Sequence, residues 1–281
     1  MAFALQILRA PINLTSSLMG HCSATCSSAA FERVQISESL QGIMAAAPGA
    51  DRSRVILYFH GGGHWLLTAS TYKEFIGRLS AATQAVVIAV DYSKPPAVQF
   101  PAGLNEALAA WHWARDRFGE GSVAVAGDSS GANLAFALVV KLAQLEEEQP
   151  VACIGISPWL RLDLKTSLPN LYGKFCADLY LGGWHKVTKA ADPLVTIMNA
   201  SPELVRCFPP ILMHAGSNEL TTEDVKAMAV LCESVGSPAE VQFYGCPHIF
   251  QVGPGFHKST RDSLQRIDAF LQKQWKSAPT E

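Results

Sequence analysis

The stretch Gly127-Asp128-Ser129-Ser130-Gly131 decides the fold of this 281-residue chain. It follows a short apolar run, Ser122–Ala126, and precedes a helix-like run from Ala132 to Leu145. The order of strand, sharp turn and helix places Ser129 at the apex, and glycines two positions away on either side let the strand and helix approach closely. The stretch therefore predicts a strained turn that lifts the hydroxyl of Ser129, and not that of Ser130, above the sheet as a nucleophile.

A second glycine-rich turn, His60-Gly61-Gly62-Gly63, ends another strand-like run, Arg54–Phe59. Bare backbone N–H groups in such a turn can stabilise the oxyanion that forms when a carbonyl carbon is attacked. A phosphate cradle is the competing interpretation, but the chain has neither G-x-x-x-x-G-K-[ST] nor G-x-G-x-x-G. We expect His60 to order the loop without transferring protons, and the oxyanion donors to be the amides of Gly62, Gly63 and Ser130.

A carboxylate lies just past the predicted strand Ile211–His214. Glu219 is in the loop after this strand, where its side chain can point over the sheet edge. The segment Thr221–Asp224 has the S/T-x-x-[DE] pattern of a capping box, which gives Asp224 a structural role at a helix start. We therefore choose Glu219 as the acid of a catalytic triad and keep Asp224 as the alternative.

A histidine follows the predicted strand Val241–Tyr244. The chain has eight histidines, and of the two that follow Glu219 only His248 lies in the turn directly after a strand; the other is His257. His248 completes the chain order Ser…acid…His. It would accept the Ser129 proton and pass it to the leaving group, while Glu219 holds its tautomer. His112 and His214 are expected to be packing or surface residues.

The apolar runs alternate with helical periodicity. Helices are predicted at Ala102–Phe118 and from Ala132 to Leu145, where apolar residues recur at steps of three and four. Short apolar runs predict buried strands at Val55–Phe59, Ala85–Val90, Val123–Ala126, Val151–Ile156, Ile211–His214 and Val241–Tyr244, and Phe31–Ser37 is a candidate edge strand. The alternation predicts an α/β fold with a mostly parallel sheet flanked by helices, with the site at the carboxyl ends of the strands.

Several short motifs together resemble those of the hormone-sensitive-lipase-like branch of the α/β-hydrolases, also called family IV esterases or arylesterases. His60–Gly63 resembles its H-G-G-G motif, Gly127–Asn133 its G-D-S-A-G motif, and Asp91-Tyr92 with Phe100–Ala102 its D-Y-R-L-A-P-E…F-P-A segment. Similar words occur at Ser157–Trp159, Ala191–Leu194 and Pro209–Leu212. The resemblance implies a single α/β-hydrolase domain over residues 1–281. It also implies a serine esterase that cleaves a small or medium apolar ester through an acyl-enzyme.

Family members cover the active site with a small helical cap. Residues 1–30 and 160–189 do not fit the strand–helix alternation here, so the resemblance implies that they supply the cap. The predicted rim of the active site is apolar and carries few charges, which favours an uncharged or weakly polar ester as substrate. We expect the substrate pocket to be lined by Trp65, Trp159 and Trp184.

Some positions depart from the family pattern. The family's R-L-A-P-E is replaced by Ser93–Ala97, so we expect its charged contacts to be absent, and His64 stands where an aromatic residue usually follows the glycines. The run His60–Trp65 is one residue out of step with the H-G-G-x-W motif of arylformamidases, which keeps an amidohydrolase open. Relatives recruited as lyases or cyclases, and receptors that have lost a triad member, are further alternatives.

Composition bounds the remaining possibilities. With 49% apolar and 16% charged residues and a net charge of −2, the chain suits one well-filled domain and gives no reason to expect nucleic acid. Seven cysteines, an odd number without zinc spacing, predict free thiols and a cytoplasmic location. We expect no cofactor, no metal and no membrane span. The expected partners are a small-molecule ester and, as often in the family, a second copy in a homodimer.

Overall fold

An eight-stranded sheet forms the centre of the part of the protein that the structure describes. The computed structural model describes residues 28–163, 171–182, 189–237, 239–253, 255 and 257–277. The strands are β1 (Ala30–Gln35), β2 (Gln41–Ala46), β3 (Asp51–Phe59), β4 (Ala85–Val90), β5 (Val123–Asp128), β6 (Cys153–Ile156), β7 (Ile211–Gly216) and β8 (Ala239–Tyr244). Their order in the sheet is β1-β2-β4-β3-β5-β6-β7-β8. Only the pairs β1–β2 and β2–β4 are antiparallel, so the predicted, mostly parallel sheet is confirmed.

Helices cover both faces of this sheet. They are α1 (Lys73–Thr83), α2 (Ala102–Phe118), α3 (Ser130–Leu145), α4 (Leu171–Leu181), α5 (Pro202–Arg206), α6 (Thr222–Ser234) and α7 (Lys258–Ser277). Successive residues of β3 belong to two different hydrophobic clusters, one on each face of the sheet. Leu57 is in the cluster that contains Trp111 of α2 and Phe136 of α3, whereas Tyr58 is in the cluster that contains residues of α1 and α7. Successive side chains of a strand point to opposite faces. The sheet is therefore buried between two helical layers, which explains its continuous apolar strands.

Each predicted strand is present, and the candidate edge strand is β1. The strand β2 was not predicted, because its sequence Gln41–Ala46 carries a glycine and no strong apolar alternation. Pairing with β1 on one side and β4 on the other holds it in place. Gly42 allows this pairing, since a Cβ there would lie 2.8 Å from the carbonyl oxygen of Ala89.

The expected cap is only partly within the described residues. Its segment 160–189 contains α4 (Leu171–Leu181), whereas residues 1–27, 164–170 and 183–188 lie outside the residues that the structure describes. The cap and the single-domain boundaries therefore stay predictions. Within the described ranges, no helix combines the length and apolar character needed to cross a membrane.

The crossing of β5 and α3 depends on two glycines. A Cβ on Gly127 would lie 2.5 Å from the carbonyl carbon of Gly131, and a Cβ on Gly131 would meet the backbone of Phe59 and His60. These close approaches let the first turn of α3 pack against the ends of β3 and β5.

We predict that Gly131→Ala lowers the free energy of unfolding by about 1–3 kcal/mol, because the new methyl group would overlap rigid backbone atoms. Urea denaturation measures the change. Gly245→Ala is the matched control, since a Cβ at Gly245 meets nothing within 4 Å. Equal stability of the two variants would contradict the packing described for the elbow.

Candidate active site

Ser129 is the single residue that turns the chain from β5 into α3. Its backbone angles are φ 51° and ψ −118°, an uncommon conformation for a residue with a side chain. Hydrogen bonds hold the strained turn: the Ser129 amide donates to Ile156 O at 2.9 Å, and the Ser129 carbonyl accepts from Trp159 N at 3.1 Å. Such strain is typical of functional positions. Here it leaves the hydroxyl above the carboxyl ends of the strands.

The three residues chosen from the sequence meet at this edge of the sheet. His248 Nε2 lies 3.0 Å from Ser129 Oγ, and His248 Nδ1 lies 2.9 Å from Glu219 Oε2. The Glu219 side chain is buried, whereas that of His248 is 42% exposed. The arrangement lets the imidazole take a proton at Nε2 while its Nδ1–H donates to a carboxylate.

Glu219 is held by more than the histidine. Its Oε1 accepts from Thr221 Oγ1 at 2.7 Å, and its Oε2 accepts from Ser157 Oγ at 3.0 Å. Burial raises the pKa of Glu219, but the hydrogen bonds from His248, Thr221 and Ser157 outweigh burial and bring the pKa below its ordinary value. The carboxylate is therefore ionised at neutral pH, as the tautomer-holding role requires.

The alternative acid, Asp224, is engaged elsewhere. Arg161 Nε lies 3.4 Å from Asp224 Oδ1, so Asp224 forms an ion pair while Glu219 contacts His248. The capping-box interpretation of this segment is wrong. The Thr221 side chain makes no cap hydrogen bond and donates to Glu219 instead.

The glycine-rich loop after β3 turns through backbone conformations that favour glycine. Gly62 and Gly63 have φ of 116° and 64°, which glycine adopts readily. Within the described part of the chain, the amides of Gly62, Gly63 and Ser130 donate to no acceptor. Ser130 also opens α3, where the helix dipole favours negative charge. These three amides stay the predicted oxyanion donors.

Asp128 ties this loop to the nucleophile turn. The buried carboxylate accepts from Tyr58 Oη and Gly61 N at Oδ1, at 2.7 and 2.9 Å, and from Tyr72 Oη at Oδ2, at 2.7 Å. Burial raises the pKa of Asp128, and the hydrogen bonds from Tyr58, Tyr72 and Gly61 oppose that rise. Sequence reasoning gave Asp128 no role, although an acid inside an otherwise apolar strand end was a usable signal.

His60 contacts the glycine loop and also Lys94, a residue to which the sequence analysis gave no role, and its loop-ordering role stays a prediction. Its Nδ1 lies 2.8 Å from Gly61 O, its ring stacks on Tyr92, and its Nε2 faces Lys94 Nζ at 3.3 Å. Lys94 is buried, donates to Tyr92 O and lies 3.7 Å from Asp91. The segment Ser93–Ala97 therefore makes a charged contact of its own, between Lys94 and Asp91, and Lys94 also reaches the ring of His60.

The helix α4 packs directly on the glycine loop. The His64 ring stacks on Tyr180 of α4 at 3.9 Å, and Trp65 meets Phe175 of α4 edge-on at 5.3 Å. Burial lowers the pKa of His64 to about 3, so the ring is neutral in this contact. Trp159 is half-buried, 6.2 Å from the His64 ring. Trp65 and Trp159 therefore lie close to the glycine loop. Trp184 lies outside the described residues. The substrate contacts predicted for all three tryptophans stay predictions.

Two other histidines lie apart from this chemistry, as expected. His112 pairs with Glu147 at 2.7 Å on the surface. His214 is buried with Nδ1 at 2.7 Å from Ser263 Oγ, and burial lowers its pKa to about 4.

Asp224 generates a prediction about pH and stability. Burial raises its pKa to about 6, even though Arg161 opposes that rise. Between the unfolded pKa of about 4 and this folded pKa, the folded protein binds more protons than the unfolded chain does. The contribution of Asp224 to stability is therefore lost as the pH rises through about 6.

We therefore expect Asp224→Asn to be more stable than the wild type at pH 8 by about 1–2 kcal/mol, after allowance for solvent screening, and to show no such advantage at pH 4. Urea denaturation at the two pH values measures this. Glu223→Gln, which alters the exposed neighbouring acid, is the control. A destabilised Asn variant at pH 8 would contradict the prediction.

Comparisons with known proteins identify the fold family of the chain. A family model described as alpha/beta hydrolase fold matches residues 56–252. An acetyl-hydrolase of Streptomyces hygroscopicus is 28% identical over 80% of this chain and 77% of the relative. The carboxylesterase/phospholipase LipF of Mycobacterium tuberculosis is 29% identical over 81% of this chain, which spans 63% of that relative, less than two thirds of its length.

Solved structures show the same architecture. The crystal structure of an esterase from the bacterial hormone-sensitive lipase family superposes with a TM-score of 0.84 at 25% identity, covering 94% of this chain and 90% of that one. An esterase/lipase from an uncultured bacterium has a TM-score of 0.83 at 23% identity, with 97% of both chains covered, and shows the shared fold. The chain belongs to the alpha/beta hydrolase fold family, in its hormone-sensitive-lipase-like branch.

Proposed function

We propose that this protein is a serine hydrolase that cleaves carboxylic esters of small or medium apolar substrates through an acyl-enzyme. The observation that carries the proposal is the continuous chain from Ser129 Oγ through His248 to Glu219, with contacts of 3.0 and 2.9 Å. Relatives named acetyl-hydrolase, carboxylesterase and esterase support ester hydrolysis. The complete set of triad contacts favours an enzyme over a receptor that has lost a triad member.

In the first half-reaction, Ser129 Oγ attacks the ester carbonyl carbon while His248 Nε2 takes the hydroxyl proton. The Glu219 carboxylate stabilises the imidazolium that forms, and the amides of Gly62, Gly63 and Ser130 donate to the oxyanion. His248 then gives its proton to the alcohol oxygen. The C–O bond breaks, the alcohol leaves, and the acyl group remains on Ser129.

In the second half-reaction, water attacks the acyl carbon and His248 takes one of its protons. The same oxyanion donors stabilise the second tetrahedral intermediate, and the returning proton restores the Ser129 hydroxyl as the acid leaves. Because one histidine serves as base and then as acid in each step, its contact with Glu219 must persist through the cycle.

The surroundings support an apolar substrate. Trp159 and the α4 residues Tyr180 and Phe175 cluster beside the glycine loop, and burial keeps His64 neutral there. Trp65 and Trp159 are proposed to contact the acyl or alcohol part. The free thiols of Cys153, Cys176, Cys207, Cys232 and Cys246 support a reducing, cytoplasmic location.

We predict that Ser129→Ala and His248→Ala each lose at least about 10³-fold in turnover of p-nitrophenyl acetate, butyrate and octanoate, because nucleophile and base act as one unit. His112→Ala, which changes a surface histidine, is the control and should retain wild-type rates. The chain-length profile of the wild type gives the depth of the acyl pocket. Wild-type turnover in Ser129→Ala would refute the acyl-enzyme mechanism.

We expect Asp128→Asn to lower kcat by about 10- to 100-fold with little change in KM. The amide cannot accept hydrogen bonds from Tyr58, Tyr72 and Gly61 together, so the oxyanion donors shift. Steady-state kinetics on p-nitrophenyl butyrate measures the split. Asp116→Asn, at a 71% exposed side chain, is the matched control. An unchanged kcat in Asp128→Asn would show that the loop holds its position without this carboxylate.

A further inference from the structure

Ser157 occupies a strained position at the centre of the catalytic edge. It directly follows β6, which lies between β5 and β7 in the sheet, and it is fully buried. Its φ of 46° is in the left-handed region that favours glycine, and its amide donates to His214 O at 2.6 Å. Ser157 opens the Ser157–Trp159 segment, to which neither the triad nor the oxyanion loop assigns a function.

The Ser157 hydroxyl links the acid to the chain that carries the base. It donates to Glu219 Oε2 at 3.0 Å, the same oxygen that His248 Nδ1 contacts. It also accepts from the amide of Ile249, the residue after His248, at 3.1 Å. One hydroxyl thus uses its donor and an acceptor lone pair on the two loops whose relative position defines the Glu219–His248 contact.

The strain at Ser157 sharpens this interpretation. Glycine would adopt φ 46° at little cost, whereas a residue with a Cβ pays conformational energy there. A side chain at such a position is a reason to look for a function of that side chain. The hydroxyl is the only polar group that the Ser157 side chain offers, and both of its contacts go to the triad loops.

We propose that Ser157 is a positioning residue of the triad, which locks the Glu219 carboxylate and the His248 loop in mutual register. The inference rests on the proposed function and adds a fourth side chain to its machinery. Ser157 does not touch the reacting atoms. It acts by fixing which oxygen of Glu219 faces His248 and how far apart the two loops lie.

The test compares Ser157→Ala with Ser157→Gly. Both remove the hydroxyl, but only glycine also removes the backbone strain, so the glycine variant should be at least as stable as the alanine variant. For a positioning role, both variants lose kcat on p-nitrophenyl butyrate by about 10- to 100-fold, with KM within about twofold of the wild type. If Ser157 served only the backbone turn, Ser157→Gly would keep the wild-type kcat, and this result would overturn the proposal.

A pH profile provides a second readout. Loss of the Ser157 donor removes one of the interactions that lower the Glu219 pKa. The acid limb of kcat/KM, which reports the essential base of the free enzyme, should therefore differ from that of the wild type in both variants. An acid limb that stays at the wild-type pH would count against the hydrogen bond to Oε2.

Two measurements separate this inference from the proposed function. Phenylmethylsulfonyl fluoride should modify Ser129 in the wild type and react more slowly in both Ser157 variants. The proton NMR resonance of the His248 Nδ1–H should shift or broaden in them, whether or not any ester is turned over. A wild type inert to esters and to the fluoride would refute the proposed function. An unchanged resonance in the variants, with unchanged fluoride reactivity, would refute the role of Ser157.

Discussion

The strained turn at Ser129 is the constraint on which the rest of the structure depends. Two glycines let β5 and α3 cross so closely that only one residue fits between them, and that residue takes a positive φ. The turn is held by the β6 carbonyl of Ile156 and by the amide of Trp159. The crossing also brings the backbone of Phe59 and His60 against Gly131, so the end of β3 and its glycine loop are placed by the same contact.

Two buried carboxylates have opposite electrostatic outcomes around this turn. Burial dominates at Asp128 and raises its pKa, although two tyrosine hydroxyls and the Gly61 amide donate to it. At Glu219 the hydrogen bonds from His248, Thr221 and Ser157 prevail, and the pKa falls. The opposite pKa shifts suit the two roles in the proposed mechanism. Asp128 holds backbone, whereas Glu219 must stay charged beside an imidazole that becomes a cation.

The glycine loop is contacted on two sides by buried side chains. Beneath it, the buried Lys94 meets His60, and above it, His64 stacks on Tyr180 of α4. Burial keeps His64 uncharged, which suits an aromatic stack in a dry environment. Lys94 lies in the segment Ser93–Ala97, one of those that depart from the family pattern.

Sequence alone indicated what local chemistry dictates: the elbow, the glycine loop, the six main strands and the order Ser…acid…His. The capping box that favoured Glu219 over Asp224 is not formed, so only the tertiary contacts separate the two acids, with Glu219 at His248 and Asp224 at Arg161. Only tertiary structure decided the contacts between distant segments. Gly61 and Asp128 are 67 residues apart, Ser157 and Glu219 are 62 apart, and Ser157 and Ile249 are 92 apart. The strand β2 and the redirected Thr221 hydroxyl belong to the same class. A pattern encodes the conformations its own residues prefer, whereas a hydrogen-bond partner is chosen by whichever group the sheet brings within about 3 Å, and that distance exists only after folding.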